Sequence, residues 1–248
     1  MIHRFVWVAT VILATVTSVS AAEPYRPGGV NVARWARGEI EHRNTDTGKV
    51  TGGETWDLTV HTDGSRTVNA TDHVDTIGHL YTVVMRVGAD FQPREAFTQY
   101  WKDGVFRNAS LFLVKDGVID VTTRFADTIS RETVKVPKRF SFIPHPLATN
   151  VWPGWYYDKV KGGIQTITVY DMSMGTKAPM QSGQVKTHGL EYLGQEDVTV
   201  PAGTFPCDHF RIDDIVDYYV TGPDALFVKF IWKSARTEYV LTALERSK

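Results

Sequence analysis

The chain is short of the features that announce chemistry. Its one cysteine, Cys207, cannot form an internal disulfide, so the fold must be held by its core. No G-x-S-x-G elbow is present, which argues against an α/β-hydrolase. No P-loop, dinucleotide glycine fingerprint or H-E-x-x-H occurs. Charge of one sign is also missing: 27 Lys and Arg stand against 28 Asp and Glu, a net charge of −1. No block of Lys and Arg could track phosphates, so a nucleic-acid partner is not expected. Beyond the first 22 residues no apolar run approaches membrane-spanning length. Neither a metal nor a cofactor is expected from these absences.

What the chain does have begins at its start. Arg4 supplies a positive charge, residues 5–16 are apolar, and Val19-Ser20-Ala21-Ala22 offers small residues for cleavage before Glu23-Pro24. This is the pattern of a secretory signal, too short for a spanning helix. The expected organisation is a signal peptide over 1–22 and one β domain over 23–248. No cysteine sits at the cleavage site, so no lipid anchor is expected. A lone cysteine in an oxidising space fits a bacterial periplasmic protein, soluble once its signal is removed. In that setting Asn69-Ala-Thr and Asn108-Ala-Ser are chance matches to the glycosylation pattern.

Strand period and turn punctuation fill the rest. Residues 56–60 alternate up to Asp63-Gly64, and 66–68 resume the pattern. Residues 80–87 form a β-branched run ended by Gly88. Asp103-Gly104 and Asp116-Gly117 separate three strand-like runs, 97–101, 105–114 and 118–125, which predicts a meander with tight Asp-Gly hairpins. Later strands are expected at 164–170, 184–192, 197–200, 205–215, 225–233 and 238–244, with at most a short helix near 148–157. The sum is an all-β domain: one strongly curved antiparallel sheet, an open barrel, half-barrel or spiral.

The stretch Leu193-Gly194-Gln195-Glu196-Asp197-Val198-Thr199-Val200-Pro201-Ala202-Gly203-Thr204-Phe205 resembles the G-x-E-x-V-x-V-P-A-G-x-F signature of an exported bacterial family of unknown function. Phe227-Val228-Lys229-Phe230 and Tyr239-Val240-Leu241 resemble its closing strands. The resemblance implies a spiral or half-barrel sheet similar to periplasmic lipoprotein-carrier folds, and it implies no activity. The residues themselves read as a hairpin corner, with Pro201 ending one strand and Gly203 turning into the next. Cys207 and His209, two apart on a strand, share a face, yet no further ligand motif completes a metal site.

The tryptophans and tyrosines read first as core. Residues 140–159 differ: three prolines and a glycine break the strand period while the segment stays aromatic. It is expected to plug the sheet or to cover a cavity mouth as a ligand-contacting lid. Phe142, Trp152 and Trp155 within it, with Trp101, are the expected ligand-binding aromatics. His145, held between two prolines, is the expected acid/base group, with Tyr156, Tyr157 and Lys159 as partners. His73 and His79 flank Gly78, a bend. Asp213-Asp214 would point to opposite faces of a strand, though distant acids could still meet. Three functions follow as expectations. One is a periplasmic protein binding a hydrophobic or aromatic small molecule in an aromatic-lined cavity. The second is a cofactor-independent lyase or isomerase on an aromatic substrate, for example one releasing formaldehyde from a lignin-derived phenol. The third is a structural envelope protein.

Overall fold

The computed structural model describes residues 29–172 and 183–247. The expected signal segment, 1–22, lies outside them. The fold is one open sheet of 15 strands in the order β8-β7-β6-β5-β4-β3-β2-β1-β15-β14-β13-β12-β11-β10-β9. The first meander comprises β1 (Val32–Asn44), β2 (Val50–His61), β3 (Arg66–Val74), β4 (His79–Val87), β5 (Pro93–Lys102), β6 (Val105–Lys115), β7 (Val118–Arg124) and β8 (Ile129–Lys135). The chain then crosses through β9 (Ser141–Ile143), a short helix α1 (Leu147–Asn150) and a 3-10 turn (Trp152–Tyr156). A second meander follows: β10 (Gln165–Asp171), β11 (Gln184–Val200), β12 (Gly203–Ile212), β13 (Val216–Thr221), β14 (Leu226–Trp232) and β15 (Thr237–Arg246). β15 pairs antiparallel with β1 and joins the two meanders. Only β9 and β10 run parallel.

The Asp-Gly hairpins are present as the sequence predicts. Asp103 and Gly104 have φ of 52° and 74°, and Asp116 and Gly117 have 50° and 80°, the left-handed pair that a two-residue hairpin needs. Val200 pairs with Gly203, so Pro201-Ala202 is the corner between β11 and β12. A register shift at Tyr192 and Gly194 lets β11 continue as one strand where two are expected. Asp213 and Asp214, both with positive φ, form the turn after β12 and do not lie within a strand. Residues 216–221 therefore become a separate strand, β13.

Alternation sorts the residues of β2–β7 into two inner layers. Leu58, Val68, Met85, Ala96, Phe112 and Val121 are directly opposed in sequence across six strands, and all are buried. Four residues along, Glu54, Asp72, Tyr81, Tyr100 and Asn108 form a second opposed row, also buried. The apolar layer lies toward the rim formed by the turns at 62–65, 88–92 and 116–117. The polar row lies toward the opposite rim. The two sheet edges are blunted: β8 is exposed and carries Arg131, Glu132 and Lys135, and β9 has three residues.

Candidate functional site

The segment after β9 fills the interior. His145 stacks on Tyr81 with ring centroids 6.1 Å apart. Ala148 lies with Trp56, Leu58 and Val68 around a gap of only about 10 Å3, room for one water at most. Trp152 meets Phe91, in the β4–β5 turn, edge-on at 5.4 Å. The segment thus runs from the polar row to the first rim. His145 has φ of 89°, the left-handed region that a non-glycine residue seldom adopts.

One buried carboxyl holds this segment. Glu54 Oε2 and Oε1 accept hydrogen bonds from the backbone N–H groups of Leu147 (2.5 Å) and Ala148 (3.0 Å), at the first turn of α1. Burial, then the neighbouring Asp72 charge, pushes the Glu54 pKa well above its ordinary value. The Glu54 carboxyl is also hydrogen-bonded to the Asp72 side chain, which raises its pKa further. Asp72 Oδ2 in turn stands 3.2 Å from His42 Nε2, and the His42 ring lies edge-on to Tyr239. His79 Nδ1 and the Tyr81 hydroxyl are 2.5 Å apart. Burial lowers the pKa of both His79 and His145, so their imidazoles are neutral at neutral pH. Asn108 is fully buried, and neither amide atom has a hydrogen-bond partner among the described residues.

At the first rim, four chain segments leave a groove of about 920 Å3. The start of β5 gives Pro93 and Arg94, the end of β6 gives Lys115, residues 137–140 give Lys138, Arg139 and Phe140, and the 3-10 turn gives Trp155 and Tyr156. Trp155 is 44% exposed and stacks on Phe91 at 4.5 Å. Arg139 Nη2 donates to the Tyr156 carbonyl at 3.2 Å, with its guanidinium 4.8 Å from the Tyr156 ring centre.

The expected site residues are divided by this arrangement. Trp155 and Tyr156 line the groove. Trp152 is buried beneath it, and Phe142 is packed between Phe112 and Tyr170. Trp101 lies against Phe106 on the outer face, because the inward position beside it is taken by Tyr100. Tyr157 donates to the Gly163 carbonyl and packs on Phe210 and Tyr192. Lys159 pairs with Asp208 at 2.8 Å. Burial opposes its charge, Asp208 outweighs that, and its pKa is raised, the wrong direction for a general base. The Tyr156 phenol is raised by burial as well, and its hydroxyl is buried without a hydrogen-bond partner among the described residues. His145 alone combines a neutral imidazole with acidic neighbours, its field set partly by Asp171 and Asp72.

Other positions singled out in the sequence also find places. His79 faces inward and His73 outward, since the chain reverses between them. His209 lies between Glu196 (2.8 Å) and Asp217 (3.1 Å), and buried Cys207 bonds its own strand. Among the described residues no three His, Cys, Asp or Glu side chains come together as a metal site. Glu54, Asp72 and His42, and the cations of the groove, are functional candidates that motif spacing does not reveal.

No family model matches the chain, and no curated protein does. Among solved structures, a β-barrel-like protein of a domain of unknown function, DUF1849, from Brucella abortus is similar at a TM-score of 0.56 and 11% identity, over 88% of this chain and 99% of that one. A putative lipoprotein from Parabacteroides distasonis has a TM-score of 0.31 and 12% identity, over 85% of this chain and 94% of that one. The first likeness shows a shared β-barrel-like fold with a protein of unknown function. No helix among the described residues is long and apolar enough to cross a membrane.

Proposed function

We propose that this is an exported binding protein that holds an aromatic or otherwise apolar small molecule in the groove at the first rim. The groove carries the reading: about 920 Å3 lies within the range of small-molecule sites, and it is floored by Trp155, Tyr156 and Phe140. Trp155 keeps nearly half its surface in water while its ring is fixed against Phe91, an available and rigid aromatic contact. The interior is the less suitable place, because its rings pack on one another: Phe210 on Tyr218, Phe230 on Tyr239, Phe142 on Tyr170. The signal-like first 22 residues support an exported, periplasmic setting. The test is titration of the purified protein with a panel of phenolic aromatics, fatty acids and phospholipids. Trp155→Ala should weaken the best binder by about tenfold or more while leaving the circular dichroism spectrum unchanged. Equal affinity in the variant removes the groove from ligand binding.

A second reading, the cofactor-independent lyase or isomerase, is favoured by His145 alone. A neutral imidazole beside Tyr81, in the field of Asp171 and Asp72, is suited to take a proton. Protein-dependent loss of a defined mass from an aromatic substrate, abolished in His145→Ala with folding intact, is its expected signature. Unchanged turnover in that variant ends the role of His145.

A further inference from the structure

We propose that the groove selects an aromatic anion: a flat apolar body carrying a carboxylate. The inference rests on the reading of the groove as a ligand site and adds the charge of its occupant.

The groove is lined by four cations, Arg94, Lys115, Lys138 and Arg139, and two carboxylates, Asp90 and Asp116. It therefore holds an excess of two positive charges in a chain whose net charge is −1. The cations come from three separated stretches of chain, so the fold gathers them. Gathering like charges costs free energy unless an anion answers them. Elsewhere such pairing is common: Arg86 binds Glu95, Lys186 binds Asp171, and Lys229 binds Glu238. At the groove it fails. Lys115, Lys138 and Arg139 have no carboxylate within ion-pair distance among the described residues. The nearest approach is Arg94 to Asp90, at 3.9 Å, and Asp90 already accepts the Gln92 backbone N–H.

The aromatic half of the specification comes from the same wall. Arg139 lies over the Tyr156 ring and is tied to the Tyr156 carbonyl, so its guanidinium is placed beside the aromatic floor. Trp155 continues that floor on Phe91. A ligand lying on Trp155 and Tyr156 would bring a carboxylate to the Arg139 and Lys138 side of the groove. Arginine binds carboxylates through its planar fork, and lysines add attraction less dependent on direction.

The test compares three probes by calorimetry on the purified protein: 2-naphthoate, the uncharged 2-naphthamide, and decanoate. Naphthoate is expected to bind about tenfold tighter than naphthamide, with the difference shrinking as salt rises. Decanoate should bind more weakly than naphthoate. The double variant Lys115→Ala with Lys138→Ala, which leaves Arg94 and Arg139 in place, should lower naphthoate affinity several-fold toward the naphthamide level and change naphthamide far less. Both are surface lysines without ion pairs, so folding is not at stake. If naphthamide equals naphthoate, the anion proposal falls and the ligand site stands. If decanoate equals naphthoate, the aromatic specification falls. If no probe and no member of the wider panel binds, the ligand site falls too, and this inference with it.

Discussion

Glu54 lies on the inward parity of β2, with Trp56, Leu58 and Val60, where burial should forbid a charge. It is tolerated because burial and the neighbouring Asp72 favour its neutral form and because it accepts two N–H groups from α1. The consequence for stability has a definite sign. A folded pKa above the unfolded value gives a contribution that is complete below pH about 4.5 and is lost as pH rises through the folded value. Each unit of elevation amounts to about 1.4 kcal/mol. Glu54→Gln keeps a carbonyl for one of the two α1 N–H groups and an amide N–H for Asp72, gives up the second acceptor, and cannot ionise. Urea unfolding at pH 5, 7 and 9 should show the wild type weakening with pH and the variant losing most of that slope. Parallel pH profiles would mean that Glu54 does not titrate in the folded protein. The parity of Glu54 and Asp72 is legible in the sequence, since each falls in step with apolar neighbours. Their direct opposition is not, because it depends on the register of β2 against β3. His145 is legible from its flanking prolines, whereas the ion pair of Lys159 is formed with Asp208, 49 residues away.

Among the elements, the strands with clear alternation and Asp-Gly turns are legible, and those lost have physical reasons. β8 is exposed on both faces, so Ile129–Lys135 has no apolar period to read. β1 turns Ala36, Gly38, Ile40 and His42 inward, a row too small and polar to stand out. The segment after β9 is legible as more than a solvated loop from its aromatics, and it forms the interior filling with α1 and the 3-10 turn. What no local pattern shows is how the turn between β13 and β14 is fastened. Asp224 accepts from Arg34 Nε (2.5 Å) and Nη2 (2.7 Å) and from Arg66 Nε (3.0 Å), tying that turn to β1 and β3. Arg66 and Asp224 are both buried. Asp224→Ala leaves the Arg66 charge buried without its carboxylate and should cost about 3–5 kcal/mol of unfolding free energy. A loss within about 0.5 kcal/mol by urea denaturation would show that the turn is held by packing alone.

At the scale of the molecule, the sheet is two meanders of local pairings closed by one distant seam. Trp35 N–H donates to Ser247 Oγ across a separation of 212 residues, and β1 pairs with β15 beside it. Loop closure sets the entropy of that seam. Shortening the connecting chain tenfold lowers the closure cost by about 2 kcal/mol, and non-local pairing slows folding. β15 ends beside Ala36 and Trp35, near the start of β1, so a Gly/Ser linker of about eight residues can run from Ser247 to Gly29. New ends belong in the turn between Arg124 and Ile129, where Phe125 N–H bonds the Thr128 carbonyl at the exposed edge. This permutant should keep the native spectrum and one cooperative transition. It should refold faster, by up to about thirtyfold if the β1–β15 seam forms in the rate-limiting step. An unchanged refolding rate would place seam closure after that step, with each meander forming first. Loss of cooperative unfolding would instead mean that the β7–β8 connection, and not the seam, organises the sheet.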